Sequence, residues 1–356
     1  FQAEDGIRDL VRSRGLGDVY KRQVLMPCYN TAATLATALD SIASQTLGDF
    51  EVVAVDDGST DETASILSSR AQRDQRIRVL RREHAGIIPA LNAGLAECQA
   101  ALVARMDSDD LMRPTRLEKQ AEYLDDHPEM EVVSCLVAGF PAGEVREGFQ
   151  LYLEWLNSLR DDESIRREMF VESPICHPSV MFRKSAVLAL GGYQENGWAE
   201  DYDLWLRAAL AGWRFAKLPE VLLDWRESPD RLTRSDSRYS LENFIRAKAR
   251  YLAIGPLADR DAVIIWGAGM HGRRLSKHLL RAGVPLAGFV DIDPKKIGRT
   301  RRGLPIFPPE ELMGWWNQAE NPAMLASVGA RGARELIRER LNQMGLAEGA
   351  DWWAAA

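Results

Sequence analysis

Acidic side chains are crowded into two short segments whose chemistry fits cation binding. ARMDSDD holds Asp107, Asp109 and Asp110, and EVVAVDD ends in Asp56 and Asp57. Like charges about 4 Å apart repel by about 4 kcal/mol at an effective dielectric constant near 20, and a divalent cation removes that cost. Because the available ligands are oxygens, without His or Cys partners at metal-binding spacing, Mg²⁺ or Mn²⁺ is favoured over zinc. Mg²⁺ often completes its shell with substrate phosphates, which suggests a diphosphate ligand; for ARMDSDD taken alone, a solvated acidic loop is the alternative.

The segments around these clusters alternate between strand and helix patterns. VLMP and EVVAVDD are typical of buried strands, and TLATALDSIASQ between them places Leu35, Leu39 and Ile42 on one helical face. The next helix pattern, STDETASILSSR, opens with Ser59 and Glu62 at capping-box spacing. The series predicts an α/β fold, a mostly parallel sheet with helices on both faces. Ligands of such sheets bind beyond the carboxyl ends of the strands, where both acidic clusters fall.

Composition excludes several classes of protein. The chain of 356 residues is long enough for two domains, and a net charge of -7 argues against nucleic-acid binding, which normally needs a basic face. No apolar run reaches the roughly 18–20 residues of a membrane helix, and no signal-peptide pattern occurs. We therefore expect a cytoplasmic protein without a membrane span, with the inner membrane face as a place of peripheral contact. The scattered cysteines are expected to be reduced; they are Cys28, Cys98, Cys135 and Cys176.

Four ordered segments resemble those of a known enzyme family. VLMPCYN, VVAVDDGSTDET, ARMDSDD and AEDYDLWLR occur in the order and approximate spacing of the family 2 glycosyltransferases with the GT-A fold, over about residues 24–239. The resemblance implies a nucleotide-diphosphate-sugar donor, inverting transfer of the sugar to an acceptor hydroxyl, and Mg²⁺ or Mn²⁺ as cofactor. It also implies a saccharide or lipid-linked acceptor, in surface-polysaccharide or glycoconjugate assembly.

The resemblance assigns residues on the donor side of the site. Pro27, Tyr29 and Asn30 would line the nucleotide site, and Asp57 would read the nucleobase. His177, in CHPSVMFRK, would face the active site near the diphosphate or the acceptor, although a single His is more often structural.

It also separates a metal site from a catalytic base. Asp107 and Asp109 would form the D-x-D element, with Asp109 the main metal ligand, and Asp201 would be the base that takes the acceptor proton. A base on the acceptor side contributes about 10²–10⁴ in rate, and a cation stabilises charge on the departing phosphate. An arginine-rich segment, DWRESPDRLTRSD, could close over the diphosphate or be a solvated loop; its arginines are Arg226, Arg231 and Arg234.

Two other functions would use similar residues. A nucleotidyltransferase also needs carboxylates and a divalent ion, but it would be expected to carry a basic, glycine-rich loop where this chain has PCYN. A non-catalytic nucleotide-sugar-binding protein would be expected to lack an Asp pair or Asp201, and all are present. The chain has no Q-x-x-R-W element of the processive synthases, which favours the addition of a single sugar.

A second strand-and-helix pattern begins after residue 256. In AVIIWGAGMHGRRLSKHLLRAG, Gly267, Gly269 and Gly272 follow a strand in G-x-G-x-x-G spacing, and Asp291 ends the next strand near the offset of a ribose-binding acid. We expect residues 257–356 to form a small Rossmann-like α/β domain. It is either a retained fold without a catalytic role or a second nucleotide site.

The first residues look foreign to the rest. Residues 1–23 lack periodicity, and QAEDGIRD resembles the translation of a common sequencing-library adapter; a natural tail is the alternative. The predicted organisation is a non-native segment at 1–23, a GT-A domain at 24–256 and the Rossmann-like domain at 257–356. Residues near Tyr20 to Gln23 are expected to complete the first strand.

Overall fold

The computed structural model describes residues 22–228 and 231–356, which form two α/β units, each on its own sheet. The strands of the larger sheet are β1 (Arg22–Cys28), β2 (Glu51–Asp56), β3 (Ile77–Arg81), β4 (Leu102–Arg105), β5 (Leu111–Met112), β6 (Val132–Phe140), β7 (Met181–Arg183) and β8 (Phe215–Arg226). Those of the smaller sheet are β9 (Ala262–Trp266), β10 (Leu286–Val290), β11 (Thr300–Arg301), β12 (Leu304–Phe307), β13 (Pro322–Ala326) and β14 (Trp352–Ala354).

Helices flank both sheets. They are α1 (Ala32–Ala43), α2 (Thr63–Arg73), α3 (Ile87–Glu97), α4 (Arg116–Asp126), α5 (Glu147–Ser158), α6 (Asp162–Arg167), α7 (Lys184–Ala189), α8 (Glu200–Leu210), α9 (Leu232–Ser235), α10 (Leu241–Ile254), α11 (Met270–Arg281), α12 (Leu312–Trp316) and α13 (Ala333–Gln343). Within the described residues, no helix is both long and apolar enough to cross a bilayer.

The larger sheet is mixed, with the order β3-β2-β1-β4-β7-β6-β8-β5. Its first four strands are parallel, as the β-α-β pattern predicts. β7 runs antiparallel to both of its neighbours, and β5 runs antiparallel to β8. β6 and β8 are parallel to each other and, across β7, run in the same direction as the first four strands, which confirms the prediction of a mostly parallel sheet. β7 and β5 are too short to leave a readable pattern.

The parallel half is built from apolar runs and closely packed helices. Leu35, Leu39 and Ile42 of α1 are buried, which confirms the predicted face. Gly94 of α3 lies so close to the sheet that a Cβ there would come within 2.3 Å of a Leu25 methyl group, so only glycine permits this packing. The capping-box prediction is wrong, because Glu62 makes no side-chain cap and the Ser59 hydroxyl instead accepts from the Asn30 N–H.

The described part of the chain starts within the predicted first strand. Residues 1–21 lie outside the described residues, whereas Arg22 and Gln23 form the first positions of β1 and pair with β4.

All four cysteines are free and buried, which confirms the prediction of reduced thiols.

The smaller sheet has parallel strands in the order β12-β10-β9-β13-β14, with β11 added as an antiparallel edge. Numbered by their sequence within the unit, the five parallel strands follow the order 3-2-1-4-5, which corresponds to the first five positions of the doubly wound order 3-2-1-4-5-6. The glycine-rich segment connects β9 to α11 at the carboxyl end of the central strand.

The two units share a packed interface. One buried apolar cluster includes Tyr251 and Leu252 of α10 together with Leu275 and Leu279 of α11. Beside it, the Glu168 carboxylate is 5% exposed and accepts hydrogen bonds from two arginines of α13, Arg334 (2.6 Å) and Arg338 (3.0 Å). The smaller unit is thus joined to the larger one by apolar contacts and by buried charge.

Candidate active site

The two acidic clusters lie at one edge of the larger sheet. β1 is central, with β2 on one side and β4 on the other, all parallel, so their carboxyl ends meet. Backbone bonds extend this order past the strands: the Asp57 N–H donates to the Cys28 carbonyl (2.9 Å), and the Met106 N–H to the Leu25 carbonyl (3.1 Å). The placement agrees with the rule that ligands bind at the carboxyl ends.

The turn after β4 gathers three carboxylates. One oxygen each from Asp107, Asp109 and Asp110 lies within 4.8 Å of the others, close enough to share a cation. The end of β8 fixes the turn, since Arg226 donates from its backbone N–H to Asp110 Oδ1 (2.8 Å) and from its Nε to the Asp109 carbonyl (2.6 Å). Asp110 Oδ2 is buried and has no hydrogen-bond partner among the described residues. The turn therefore offers an oxygen whose burial a cation would compensate.

Crowding and burial perturb these acids. Burial, and then the charge of Asp107, raises the pKa of Asp109 to about 6. The pKa of Asp110 is raised well above its usual range by burial and by the Asp109 charge. Carboxylates that resist ionisation in each other's presence are those a divalent cation would stabilise.

Arg105, which the sequence did not single out, is the buried counter-charge of this turn. Its side chain is 2% exposed, and its Nη1 lies 2.5 Å from Asp107 Oδ2. Although burial opposes the charge, the Asp107 carboxylate raises the pKa of the guanidinium. The Arg105 charge in turn lowers the pKa of both Asp109 and Asp201. One cation thus acts on both predicted parts of the site.

Asp57 holds the loop after β3. Its carboxylate, 3% exposed, accepts from the N–H groups of Ala85 and Gly86 (2.7 Å for Gly86) and lies 2.9 Å from His84 Nδ1. The His84 ring stacks on Tyr29 with centroids 3.9 Å apart. His84 therefore contacts both Asp57 and Tyr29. The sequence did not point to His84, because an isolated His in a loop carries no spacing signal.

Asn30 and Pro27 belong to the end of β1. Asn30 adopts φ = 50°, and its Oδ1 accepts from the Thr60 N–H (2.8 Å), which ties the loop after β1 to the loop after β2. Pro27 is buried within β1 opposite Val55. Both residues flank Tyr29 in sequence and hold the end of β1 next to β2 and its loop.

Asp201 lies in the first turn of α8 between two acids with other partners. Its pKa is raised to about 7, first by burial and then by the Glu200 charge. Glu200 accepts from the Tyr239 hydroxyl (2.7 Å), whereas Asp203 is fully buried and accepts from Trp198 Nε1 (2.8 Å). Asp203 is thus a structural residue, and Trp198 contributes one of its hydrogen bonds. Asp201 has only the adjacent Tyr202 N–H as a hydrogen-bond partner among the described residues.

His177 is buried and contacts the hydroxyl of a buried tyrosine. Its Nε2 lies 2.9 Å from the Tyr193 hydroxyl, and 4% of the residue is exposed. Burial, followed by the charge of Arg105, lowers the pKa of the imidazole well below its usual range. A neutral, buried imidazole bonded to Tyr193 fits a supporting role.

The arginine-rich segment borders the acidic turn. The Arg231 guanidinium lies over the Trp225 ring at 4.3 Å and 3.3 Å from Glu227, and its charge lowers the pKa of Asp109. Arg234 also pairs with Glu227. Residues 229 and 230 lie outside the described residues. The described arginines are packed and paired, which differs from a fully solvated loop.

Comparisons with known proteins agree with this arrangement. Residues 23–191 match the sequence model described as "Glycosyl transferase family 2". The amylovoran biosynthesis glycosyltransferase AmsE of Erwinia amylovora is 36% identical over 210 residues, 58% of this chain and 76% of that protein. UDP-Gal:alpha-D-GlcNAc-diphosphoundecaprenol beta-1,3-galactosyltransferase of Escherichia coli is 28% identical over 251 residues, 69% of this chain and 89% of that protein.

A solved structure shows the same fold. S. aureus TarS, residues 1–349 in complex with UDP-GlcNAc, has a TM-score of 0.52 at 20% identity and covers 73% of this chain and 72% of its own. The match with AmsE, over three quarters of that protein, is close enough to establish the family. The chain belongs to glycosyl transferase family 2 and is a glycosyltransferase with a GT-A fold.

Proposed function

We propose that this glycosyltransferase is an inverting, metal-dependent, non-processive enzyme that moves a sugar from a nucleotide diphosphate to an acceptor hydroxyl. The observation that carries the proposal is the pairing of a three-carboxylate turn with a separate carboxylate, Asp201, whose pKa is about 7. Arg105 acts electrostatically on both parts. Metal-assisted departure and base-assisted attack need carboxylates of this kind in separate places.

The donor side would use the acidic turn. Asp109 and Asp107 would hold Mg²⁺ or Mn²⁺, with an oxygen of the buried Asp110 within 4.8 Å of theirs, and such an oxygen-only set suits these ions. When bound, the cation would supply Lewis-acid stabilisation of the leaving diphosphate. Tyr29, stacked on His84, would hold the nucleobase at the exposed edge, while Asp57 fixes the loop that carries His84.

The acceptor side would use Asp201. Inversion needs the acceptor oxygen to attack from the face opposite the leaving group, so the proton must pass to a base on that face. A carboxylate with a pKa near 7 is partly ionised at neutral pH and is a better proton acceptor than an ordinary aspartate. The proton of the acceptor hydroxyl would move to an Asp201 oxygen as the bond to the anomeric carbon forms. His177, bonded to Tyr193, would have a supporting role.

The names of two relatives support the proposed acceptor class. AmsE is named for amylovoran biosynthesis, and the galactosyltransferase is named for a diphosphoundecaprenol-linked acceptor. We therefore assign a saccharide or lipid-linked acceptor in surface-polysaccharide or glycoconjugate assembly, consistent with peripheral contact at the inner membrane face. The absence of a Q-x-x-R-W element supports the addition of one sugar.

The test is turnover of a donor panel. The purified chain is incubated with UDP-, GDP- and dTDP-sugars, Mn²⁺ or Mg²⁺ and candidate lipid-linked acceptors, and the products are identified by mass. Turnover should require the metal and should fall in Asp109→Asn and Asp201→Asn, whereas Asp125→Asn, at an exposed ion pair with Arg22, serves as a matched control. If turnover were the same with a chelator as with Mn²⁺ or Mg²⁺, the proposed metal dependence would be wrong. A product whose anomeric configuration, determined by NMR, is retained would remove inversion.

A further inference from the structure

A cavity of about 610 Å³ opens at the carboxyl end of the smaller sheet. Its walls come from the ends of β9, β10 and β13 and from helices α11 and α13. We call it the C-terminal cavity; it is defined by Gly269, Met270, Asp291, Ile292, Ser327 and Leu336. The volume lies within the range of about 300–1,000 Å³ typical of sites for small molecules and cofactors. Its place at the end of the central strand is where parallel α/β sheets bind ligands.

Packing accounts for two of the three glycines in this loop but leaves the third unexplained. Gly267 has φ = 113°, and a Cβ there would lie 2.7 Å from the Ser327 carbonyl oxygen. A Cβ on Gly272 would lie 1.9 Å from the Gly267 carbonyl oxygen. Around Gly269, by contrast, a Cβ would meet nothing within 4 Å, and φ = -77° is open to any residue. The missing side chain at Gly269 therefore keeps space free at the cavity wall.

The start of α11 and the side chain of Ser327 contribute polar groups to the lining of this cavity. Gly269 is the N-cap of α11, a helix of 12 residues, so the first-turn N–H groups have no acceptor within the helix and favour an anion. Ser327, at the end of β13, is 3% exposed, and its hydroxyl has no hydrogen-bond partner among the described residues. A buried hydroxyl without a hydrogen-bond partner destabilises the fold, and a ligand that supplies the hydrogen bond removes this cost.

The remaining walls suit a sugar and a base. Met270, Ile292 and Leu336 expose 50%, 76% and 68% of their surface, unusual for apolar residues, and all three line the cavity. Asp291 stabilises the loop, since its Oδ2 accepts from the Ala268 N–H (2.9 Å) and from Lys296 Nζ (3.0 Å). Lys296 also lines the cavity, where its Nζ pairs with Asp291 (3.0 Å) and Asp293 (3.6 Å). The cavity thus combines the amides at the start of α11 with an apolar surface for a flat ring.

We propose that the C-terminal cavity binds a diphosphate-containing nucleotide. The diphosphate lies against Gly269 and the first turn of α11, the Ser327 hydroxyl donates to it, and the nucleobase packs against Ile292 and Leu336. This site is separate from the acidic turn of the larger sheet and does not depend on the metal proposed there. A nucleoside diphosphate and a dinucleotide share this chemistry, and the experiment distinguishes them.

The test uses calorimetric titration of the full chain with UDP, GDP, ADP and NAD, each in the presence of EDTA. Gly269→Asp places a carboxylate where the diphosphate is proposed; it meets no steric clash and caps the helix favourably, so the fold is kept. Gly314→Asp adds the same charge away from the cavity, at an exposed position of α12 where a Cβ would likewise meet nothing within 4 Å. Thermal unfolding verifies that both variants are folded.

At least one nucleotide should bind the wild-type chain and Gly314→Asp with equal affinity. It should bind Gly269→Asp about tenfold or more weakly, because the introduced carboxylate repels the negatively charged diphosphate. The nucleotide that binds most tightly shows whether the ligand is a nucleoside diphosphate or a dinucleotide. Ser327→Ala provides a second variant: it should weaken the same nucleotide while leaving thermal stability unchanged or higher, since the hydroxyl has no partner to lose among the described residues. Binding of none of the four at millimolar concentration, or equal binding by Gly269→Asp, overturns the proposal.

Discussion

The buried Arg105 guanidinium and the partly exposed Asp107 carboxylate form an ion pair, with Nη1 and Oδ2 2.5 Å apart. This pair joins the acidic turn to the strand that carries it, because Arg105 is the last residue of β4. The same guanidinium lowers the pKa of Asp201 at the start of α8. The two halves of the proposed mechanism are thus electrostatically coupled through one side chain.

Replacing the charges around Asp201 should move the pH dependence of turnover in opposite directions. The Arg105 charge lowers the pKa of Asp201 and the Glu200 charge raises it. A base works only when deprotonated, so Arg105→Gln should shift the acid limb of the kcat/KM profile to higher pH, and Glu200→Gln should shift it to lower pH. The profile is measured as donor consumption with saturating acceptor.

The groups that face Asp201 define the controls for this prediction. Besides Glu200 and Arg105, the phenols of Tyr152, Tyr193 and Tyr239 interact electrostatically with it or with Glu200. Arg113→Gln removes an arginine from a surface pair with Asp224 and should leave the profile unchanged. If both test variants moved the acid limb in the same direction, the coupling would be wrong.

Asp109→Asn should abolish the metal dependence of nucleotide binding. The change removes one of three crowded carboxylates, so thermal stability should stay the same or rise while affinity for the nucleotide in Mn²⁺ falls. Calorimetry with UDP and GDP, with and without Mn²⁺, gives both affinities. An affinity in Mn²⁺ equal to that of the wild-type chain would show that Asp109 is not a metal ligand.

The sequence predicts the parts of the site that follow from strand ends. Because β1, β2 and β4 are long enough to show buried apolar runs, the acidic clusters can be placed at their carboxyl ends, and the structure has them there. The three-carboxylate group is likewise foreseen, since its members adjoin in sequence. Local pattern suffices wherever neighbours in space are neighbours along the chain.

Residues whose partners are distant along the chain cannot be identified from local sequence patterns. Arg105 occurs in an apolar strand, and only the fold shows that it is buried against the acidic turn. Glu168 is one acid among many until α13 places two arginines on it. Ser327 stands out only because the folded chain leaves its hydroxyl without a partner among the described residues.

Glu168→Gln should weaken the contact between the two units. The change keeps the shape but removes the charge that accepts from Arg334 and Arg338, and we expect the free energy of unfolding to fall by about 2–3 kcal/mol. Urea unfolding measures the loss. Glu310, whose side chain is 68% exposed, pairs with Arg340, and Glu310→Gln should change the free energy of unfolding by less than about 0.5 kcal/mol. Equal stability of both variants would show that the Glu168 pairs add little.

Asp201→Asn should stop turnover without weakening donor binding. Asparagine keeps the size of the side chain and can still accept from the Tyr202 N–H, but it cannot take the acceptor proton at neutral pH. A loss of about 10²–10⁴ in kcat is expected for a missing general base, with donor KM little changed because the defect lies in the transition state.

The pH dependence of the wild-type chain provides an independent measurement of the same residue. The Asp201 pKa is raised to about 7, so a base that must be ionised should give a rate that rises with pH through about 7 and then levels off. This rise should be missing from the residual activity of Asp201→Asn. If the variant kept near-native kcat with acceptor in excess, or kept the same acid limb, another residue would have to be the base, and Asp201 would serve in binding or structure.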